Sequence, residues 1–144
     1  MGFQMLRQIA RTLDHGSIGL FHELIPEGLT TLQLWSGATF VRGVVEDLLG
    51  VFVRADLHAL TVAPQLPAAW DFAELDNLAF GAHVVSLRVT PADLRFEHVS
   101  GPTPLQVTYQ TPDGEVTRFA VEPGQICEAK TQSLASCRLQ DRRI

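Results

Sequence analysis

The spacing of apolar residues changes once along this chain, at Gly50, and that change limits the possible folds more than any other feature. Before Gly50 the period is helical. Phe3, Leu6, Ile9, Ala10 and Leu13 share one face of a helix over residues 3–13, and Gly16 supplies a left-handed stop after Asp14 and His15. A second helix is predicted over 32–49. Leu34, Ala38, Val41, Val45 and Leu48 trace its stripe, and Trp35, Val44 and Leu49 widen it. Thr30 or Thr31 can cap its start, and Gly50 ends it. Gly37 and Gly43 inside it each cost about 1 kcal/mol against alanine, a cost that close packing against a neighbour offsets.

After Gly50 the period falls to two. Leu57–Val62, Leu78–Phe80, Val84–Val89, Leu94–Val99, Leu105–Tyr109, Val116–Val121 and Gln125–Ala129 read as short strands. Turn residues separate them, most clearly Pro112-Asp113-Gly114. Short strands at this spacing predict an antiparallel β-sandwich. The expected fold class is therefore α+β, an N-terminal helical hairpin followed by an antiparallel β-sandwich. The expected segments are 1–52 for the hairpin, 53–131 for the sandwich and 132–144 for a tail without clear pattern.

Composition agrees with a globular chain of 144 residues, 46% apolar and 19% charged, long enough to bury its own core. A net charge of -5 argues against a nucleic-acid partner. No apolar run reaches membrane-spanning length, and the N-terminus lacks the pattern of a signal peptide. The expected setting is cytoplasmic, with no membrane partner. Cys127 and Cys137 lie ten residues apart. They could bridge a hairpin, but a single sparse pair is no disulfide framework, so reduced, inert thiols are the default expectation.

Two phrases in the chain go together: Trp35-Ser36-Gly37-Ala38 inside the second helix, and Pro64-Gln65-Leu66-Pro67-Ala68-Ala69-Trp70 after the first strand. Helix, strand and Pro-x-Leu-Pro-x-x-Trp in this order resemble the point where the last barrel helix of an (α/α)6 six-hairpin glycosidase hands over to a C-terminal β-sandwich. Debranching-type amylo-glucosidases and maltose-phosphorylase-like enzymes end this way. The resemblance runs from about Phe3 to Gly101. It implies the C-terminal part of a carbohydrate-active enzyme, a glycoside hydrolase acting on α-glucosidic oligosaccharides. The alternative is a non-catalytic β-sandwich that binds carbohydrate or a partner chain.

The connection over residues 14–32 is long for a compact chain, and loops of that length are often functional. It carries His22, Glu23 and Glu27 between Gly19 and Gly28. Glycosidases need two carboxyl groups flanking the scissile bond, one to protonate the leaving oxygen and one to activate water or attack. In the inverting (α/α)6 hydrolases one of the pair lies in the loop before the last Trp-Ser helix, and the resemblance sets Glu23 there as candidate general base, with Glu27 as the alternative. His22 and Trp35 are the candidate substrate-binding residues. A phosphorylase would need phosphate donors instead, for which Ser17, Thr30 and Thr31 are available. The plain structural reading is that Glu23 and Glu27, four apart, are solvated faces of one helical turn.

The remaining constellations are weaker. Histidines at 15, 22, 58, 83 and 98 show no metal-ligand spacing, so no metal and no cofactor is expected. His58, His83 and His98 fall in predicted strands, where an exposed or hydrogen-bonded structural role is expected. Ser36 lacks the strand and Gly-x-Ser-x-Gly frame of a nucleophile elbow. Beyond residue 80 the only aromatic residues are Phe96, Tyr109 and Phe119, few for a sugar-stacking platform. The resemblance puts the general acid and most sugar subsites on earlier helices, so the isolated chain is expected to be inactive, with an oligosaccharide substrate only when joined to a barrel. The wide apolar helix also needs a cover. The expectation is a homo-oligomer packed through residues 3–13 and 32–49, or packing on a missing catalytic domain.

Overall fold

The computed structural model describes residues 2–11, 34–130 and 135–139, and the chain divides into two compact units, Met1–Leu48 and Leu49–Ile144. In the first unit, α1 spans Gly2–Ala10 and α2 spans Leu34–Arg42. The second helix continues past Arg42 as a π-helical turn over Gly43–Leu48, a wider winding that shifts the stripe read with a regular α period. A Cβ on Gly43 would meet Leu6 Cδ2 of α1 at 2.9 Å, so the close approach expected of a helix glycine is present there. Arg42 and Glu46 pair at 2.6 Å one turn apart. Ala38 is exposed, and Val41 is 58% exposed.

The second unit is a β-sandwich. One sheet has the order β1 (Val51–Arg54), β2 (Ala59–Val62), β6 (Leu105–Gln110), β7 (Val116–Val121). The other has the order β3 (Ala73–Phe80), β4 (His83–Val89), β5 (Asp93–Ser100), β8 (Gln125–Lys130), β9 (Ser136–Leu139). Side chains alternate across each strand. Val85, Leu87 and Val89 of β4, Leu94 and Phe96 of β5, and Leu105, Val107 and Tyr109 of β6 are buried, while their neighbours in sequence face outward. The expected hairpin turn is present. Gly114 N–H donates to the Thr111 carbonyl at 2.9 Å, and the Thr111 hydroxyl accepts from Glu115 N–H at 3.0 Å. Tyr109 is fully buried, and burial together with Asp93 and Asp113 pushes its phenol up from the ordinary value.

The α+β class and the sandwich hold, with corrections. The pairing of β2 with β6 is parallel, Leu60 opposite Val107 and Val62 opposite Tyr109, so the sandwich is not wholly antiparallel. Leu57 lies in a 3₁₀ turn over Ala55–Leu57, and His58 after it is left-handed at φ 47°, so the strand starts later than its apolar pattern suggests. Two strands have no counterpart in the periodicity. β1 is an edge strand with only Val51 buried, and β9 is exposed throughout. Gly50 is itself part of the sandwich. It has φ 65°, and a Cβ there would collide with the Ala63 backbone, whose N–H donates to the Gly50 carbonyl at 2.9 Å.

The reduced-thiol expectation is also corrected: Cys127 and Cys137 form a disulfide. They sit directly opposite each other in the β8–β9 pair, where facing residues have their Cβ atoms close together. Cys127 is fully buried, whereas Cys137 is exposed. With little else to bury, β9 depends on this bond. Cys137→Ser is expected to free β9 and lower the unfolding free energy by roughly 2–3 kcal/mol, the entropic worth of closing so short a loop. Denaturant unfolding together with amide exchange along β8 checks this. Unchanged stability and unchanged β8 protection would show that β9 holds without the bond.

Candidate functional site

Three of the histidines meet in the sandwich. His83 opens β4 and His98 lies near the end of β5, both in the inward phase of their strands and 2% and 0% exposed. His58 sits just before β2 in the other sheet and is exposed. His58 Nδ1 lies 2.9 Å from His83 Nε2, and His83 Nδ1 lies 3.1 Å from His98 Nε2. His98 Nδ1 lies 3.0 Å from the Val121 carbonyl oxygen of β7. The chain therefore crosses from one sheet to the other and back.

The last contact fixes the protons. A carbonyl oxygen only accepts, so His98 Nδ1 carries hydrogen. In a neutral ring His98 Nε2 is then an acceptor, and His83 Nδ1–H donates to it. By the same logic His58 Nδ1–H donates to His83 Nε2. One tautomer assignment satisfies every link, and it leaves the Nε2 lone pair of His58 at the exposed end. Burial, then the neighbouring His98 and His58, push the His83 pKa below its ordinary value. The rings are strung in line rather than converging on a point, and among the described residues no three His, Cys, Asp or Glu side chains form a set that could hold a metal.

The backbone is shaped around this chain. Gln106 N–H of β6 donates to the His58 carbonyl at 2.9 Å, and Gly124 N–H donates to the His98 carbonyl at 2.7 Å. Phe80 lies beside His83, with ring centroids 5.7 Å apart. Gly101 follows β5, and a Cβ there would fall onto both His83 Nδ1 and His98 Nε2. Only glycine leaves room for that hydrogen bond.

The histidine chain includes none of the sequence-predicted site residues. His22, Glu23 and Glu27 lie outside the described residues, and so do Ser17, Thr30 and Thr31. Trp35 is on α2, with only its backbone described. The carboxylates of Glu46, Asp56, Glu74, Glu97 and Glu128 each pair with an arginine, on surfaces open to water. A shallow hollow of about 220 Å³ on the outer side of β4, β5 and β8 is lined by Arg88, Arg95 and Lys130 with Asp93 and Glu128 among them. Three cationic side chains face two carboxylates there, and no aromatic ring lines it for a sugar to stack on. The histidine chain was within reach of the sequence. Extending the β4 pattern Val85, Leu87, Val89 back by one step reaches His83, and extending the β5 pattern Leu94, Phe96 forward by one step reaches His98.

One known family resembles part of the sandwich. Residues 53–118 match the model of the glycosyl hydrolase family 65 C-terminal domain. The match runs from β1 through both sheets into β7, and the sandwich fits a C-terminal glycosidase domain. The resemblance drawn from the sequence is thereby borne out for the C-terminal sandwich. His58, His83, His98 and Gly101 all fall inside the matched span. No curated protein and no solved structure gave a significant match to the chain. No helix among the described residues is long and apolar enough to cross a membrane.

Replacing Gly101 by alanine tests the chain as a structural element. The added methyl parts His83 from His98 and strands buried ring nitrogens, so G101A is expected to lose about 2–4 kcal/mol of stability. The change should appear in the denaturation midpoint and in the ring nitrogen shifts of both histidines. A loss under about 0.5 kcal/mol, the usual range for a neutral surface change, would count against it.

Proposed function

We propose that this chain is the C-terminal part of a carbohydrate-active enzyme, a glycoside hydrolase acting on α-glucosidic oligosaccharides, and that it is inactive alone. The supporting observation is the family-65 C-terminal match over residues 53–118, joined to the Trp35-Ser36-Gly37-Ala38 helix that precedes it. In this reading Glu23 activates water as general base, with Glu27 as the alternative, and His22 and Trp35 contact the sugar. The general acid comes from barrel helices earlier in the enzyme. Two carboxyl groups suffice for glycoside hydrolysis, so no cofactor is required.

The competing reading, a carbohydrate-binding module, is less well supported. Phe96 and Tyr109 are fully buried, and the exposed ring of Phe72 is covered by the Arg88 guanidinium 3.7 Å from its centroid. A sugar would find little free aromatic surface among these residues. A cytoplasmic setting remains part of the proposal, although the Cys127–Cys137 disulfide is of a kind that reducing compartments disfavour. Thiol titration of protein isolated under alkylating conditions decides between the two.

The isolated chain is expected to release neither glucose from maltose, isomaltose, trehalose or aryl α-glucosides nor glucose 1-phosphate when phosphate is added. One carboxyl group cannot serve as both acid and base at neutral pH. Turnover that scales with this chain and disappears in Glu23→Gln would overturn the reading. A barrel-coding sequence in frame upstream would support it.

Self-association is the second expectation. Ala38 and Val41 lie exposed on α2, on the stripe that also carries Leu34 and Val45, and an apolar stripe of that kind seeks a cover. A two-fold dimer through α1 and α2 is proposed, with Val41→Asp giving monomer or insoluble protein. Light scattering that shows a stable monomer of the unaltered chain at high concentration would rule it out.

A further inference from the structure

The histidine chain is a dead end for protons, and that sets how it responds to acid. Its inner end is the Val121 carbonyl, which accepts a hydrogen bond and passes nothing on. Its outer end is the exposed His58 Nε2. A first proton enters there with every link intact, because protonated His58 still donates from Nδ1 to His83 Nε2. A second proton has no such place. The Nε2 atoms of His83 and His98 are both already acceptors in the chain. Protonating either one sets N–H against N–H inside the sandwich.

We propose that His58, His83 and His98 form an acid-sensitive clasp between the two sheets, closed while the three rings hold at most one excess proton and opened when a second is forced in. The surroundings provide no counter-charge. The groups that face the rings are the Phe80 ring at the end of β3, the Gln106 amide of β6, the Val121 carbonyl of β7, and the backbone at Gly101 and Gly124. The nearest charges in sequence are engaged or exposed. Arg54 and Asp56 pair with each other at 2.8 Å beside His58, Glu97 pairs with Arg95 on the outer face, and Glu122 is exposed. None of the three rings has a hydrogen bond or ion pair with a carboxylate among the described residues.

The direction of the pH effect follows. Burial holds the His83 pKa below that of the unfolded chain. In the interval between the two values the unfolded chain binds more protons, so stability rises with pH there. The clasp contributes fully above the unfolded histidine value. Its contribution is lost as pH falls through the folded one.

Ring tautomers read by long-range proton–nitrogen spectroscopy, together with melts of the full chain, test this. Near neutral pH all three rings should carry hydrogen on Nδ1. On acidification the links should hold while the rings carry one excess proton, and β2 should separate from β4 when a second enters. Between about pH 7.5 and about pH 5, the range in which histidine titrates, the melting temperature should fall by several degrees. His83→Gln can donate and accept without titrating, and its fall should be roughly half or less of that. His98→Gln serves the same purpose if the first variant does not fold. If neither folds, the unaltered chain decides through its tautomers and the acid dependence of its melting temperature. Nε2–H on His98 at neutral pH, an unchanged melting temperature across the range, or equal acid losses in the glutamine variant and the unaltered chain would each overturn the proposal.

Discussion

One carbonyl oxygen, that of Val121, sets the polar interior of this sandwich. Three imidazoles in a row can be arranged in several proton patterns, and most leave two donors or two acceptors facing each other. The contact with His98 Nδ1 selects one pattern and passes it along to His58. A sandwich core of valine, leucine and phenylalanine tolerates polar rings only when they satisfy one another. Here the satisfaction runs between the sheets, so it also sets their spacing at that end. Gly101 is the matching constraint on the backbone, since any side chain there would occupy the His83–His98 contact.

The legible and illegible parts of the fold differ in a physical way. β4, β5 and β6 were legible because each is buried on one face, and a half-buried strand must alternate. β1 and β9 were not, because edge strands with one or no buried residue have no apolar phase to display. The helix over 32–49 was legible in extent, but its π-helical end at Gly43–Leu48 leaves no mark on a pattern read with a fixed period. The disulfide was open to either reading, since a spacing of ten allows a hairpin bridge without requiring one. The His58–His83–His98 chain was half legible: periodicity gives the faces of His83 and His98, but His58 joins them only through the left-handed residue before β2 and the parallel pairing of β2 with β6.

The candidate chemistry and the described structure occupy different parts of the chain. The carboxylates proposed for catalysis lie in the connection between the helices, while the family-65 match lies in the sandwich. Four carboxylates of the sandwich, Asp56, Glu74, Glu97 and Glu128, are engaged with arginines on its outer faces, where such a pair contributes little to stability. What holds the domain is its apolar interlayer and the hydrogen-bonded rings within it.

The parallel pairing of β2 with β6 also bears on the order in which the domain assembles. β3, β4 and β5 are consecutive antiparallel neighbours, so short turns bring them together at small entropic cost. β2 has no such partner for its inner edge until the chain has run through that meander and returned as β6. Contacts between such distant segments are slow to form. The five-stranded sheet can therefore begin first, presenting His83 and His98 on its inner face, and β2 closes over them late with His58 at its start. Assembly would then end with the sealing of the polar chain, so a chain arrested before β6 would carry two buried-type histidines facing water.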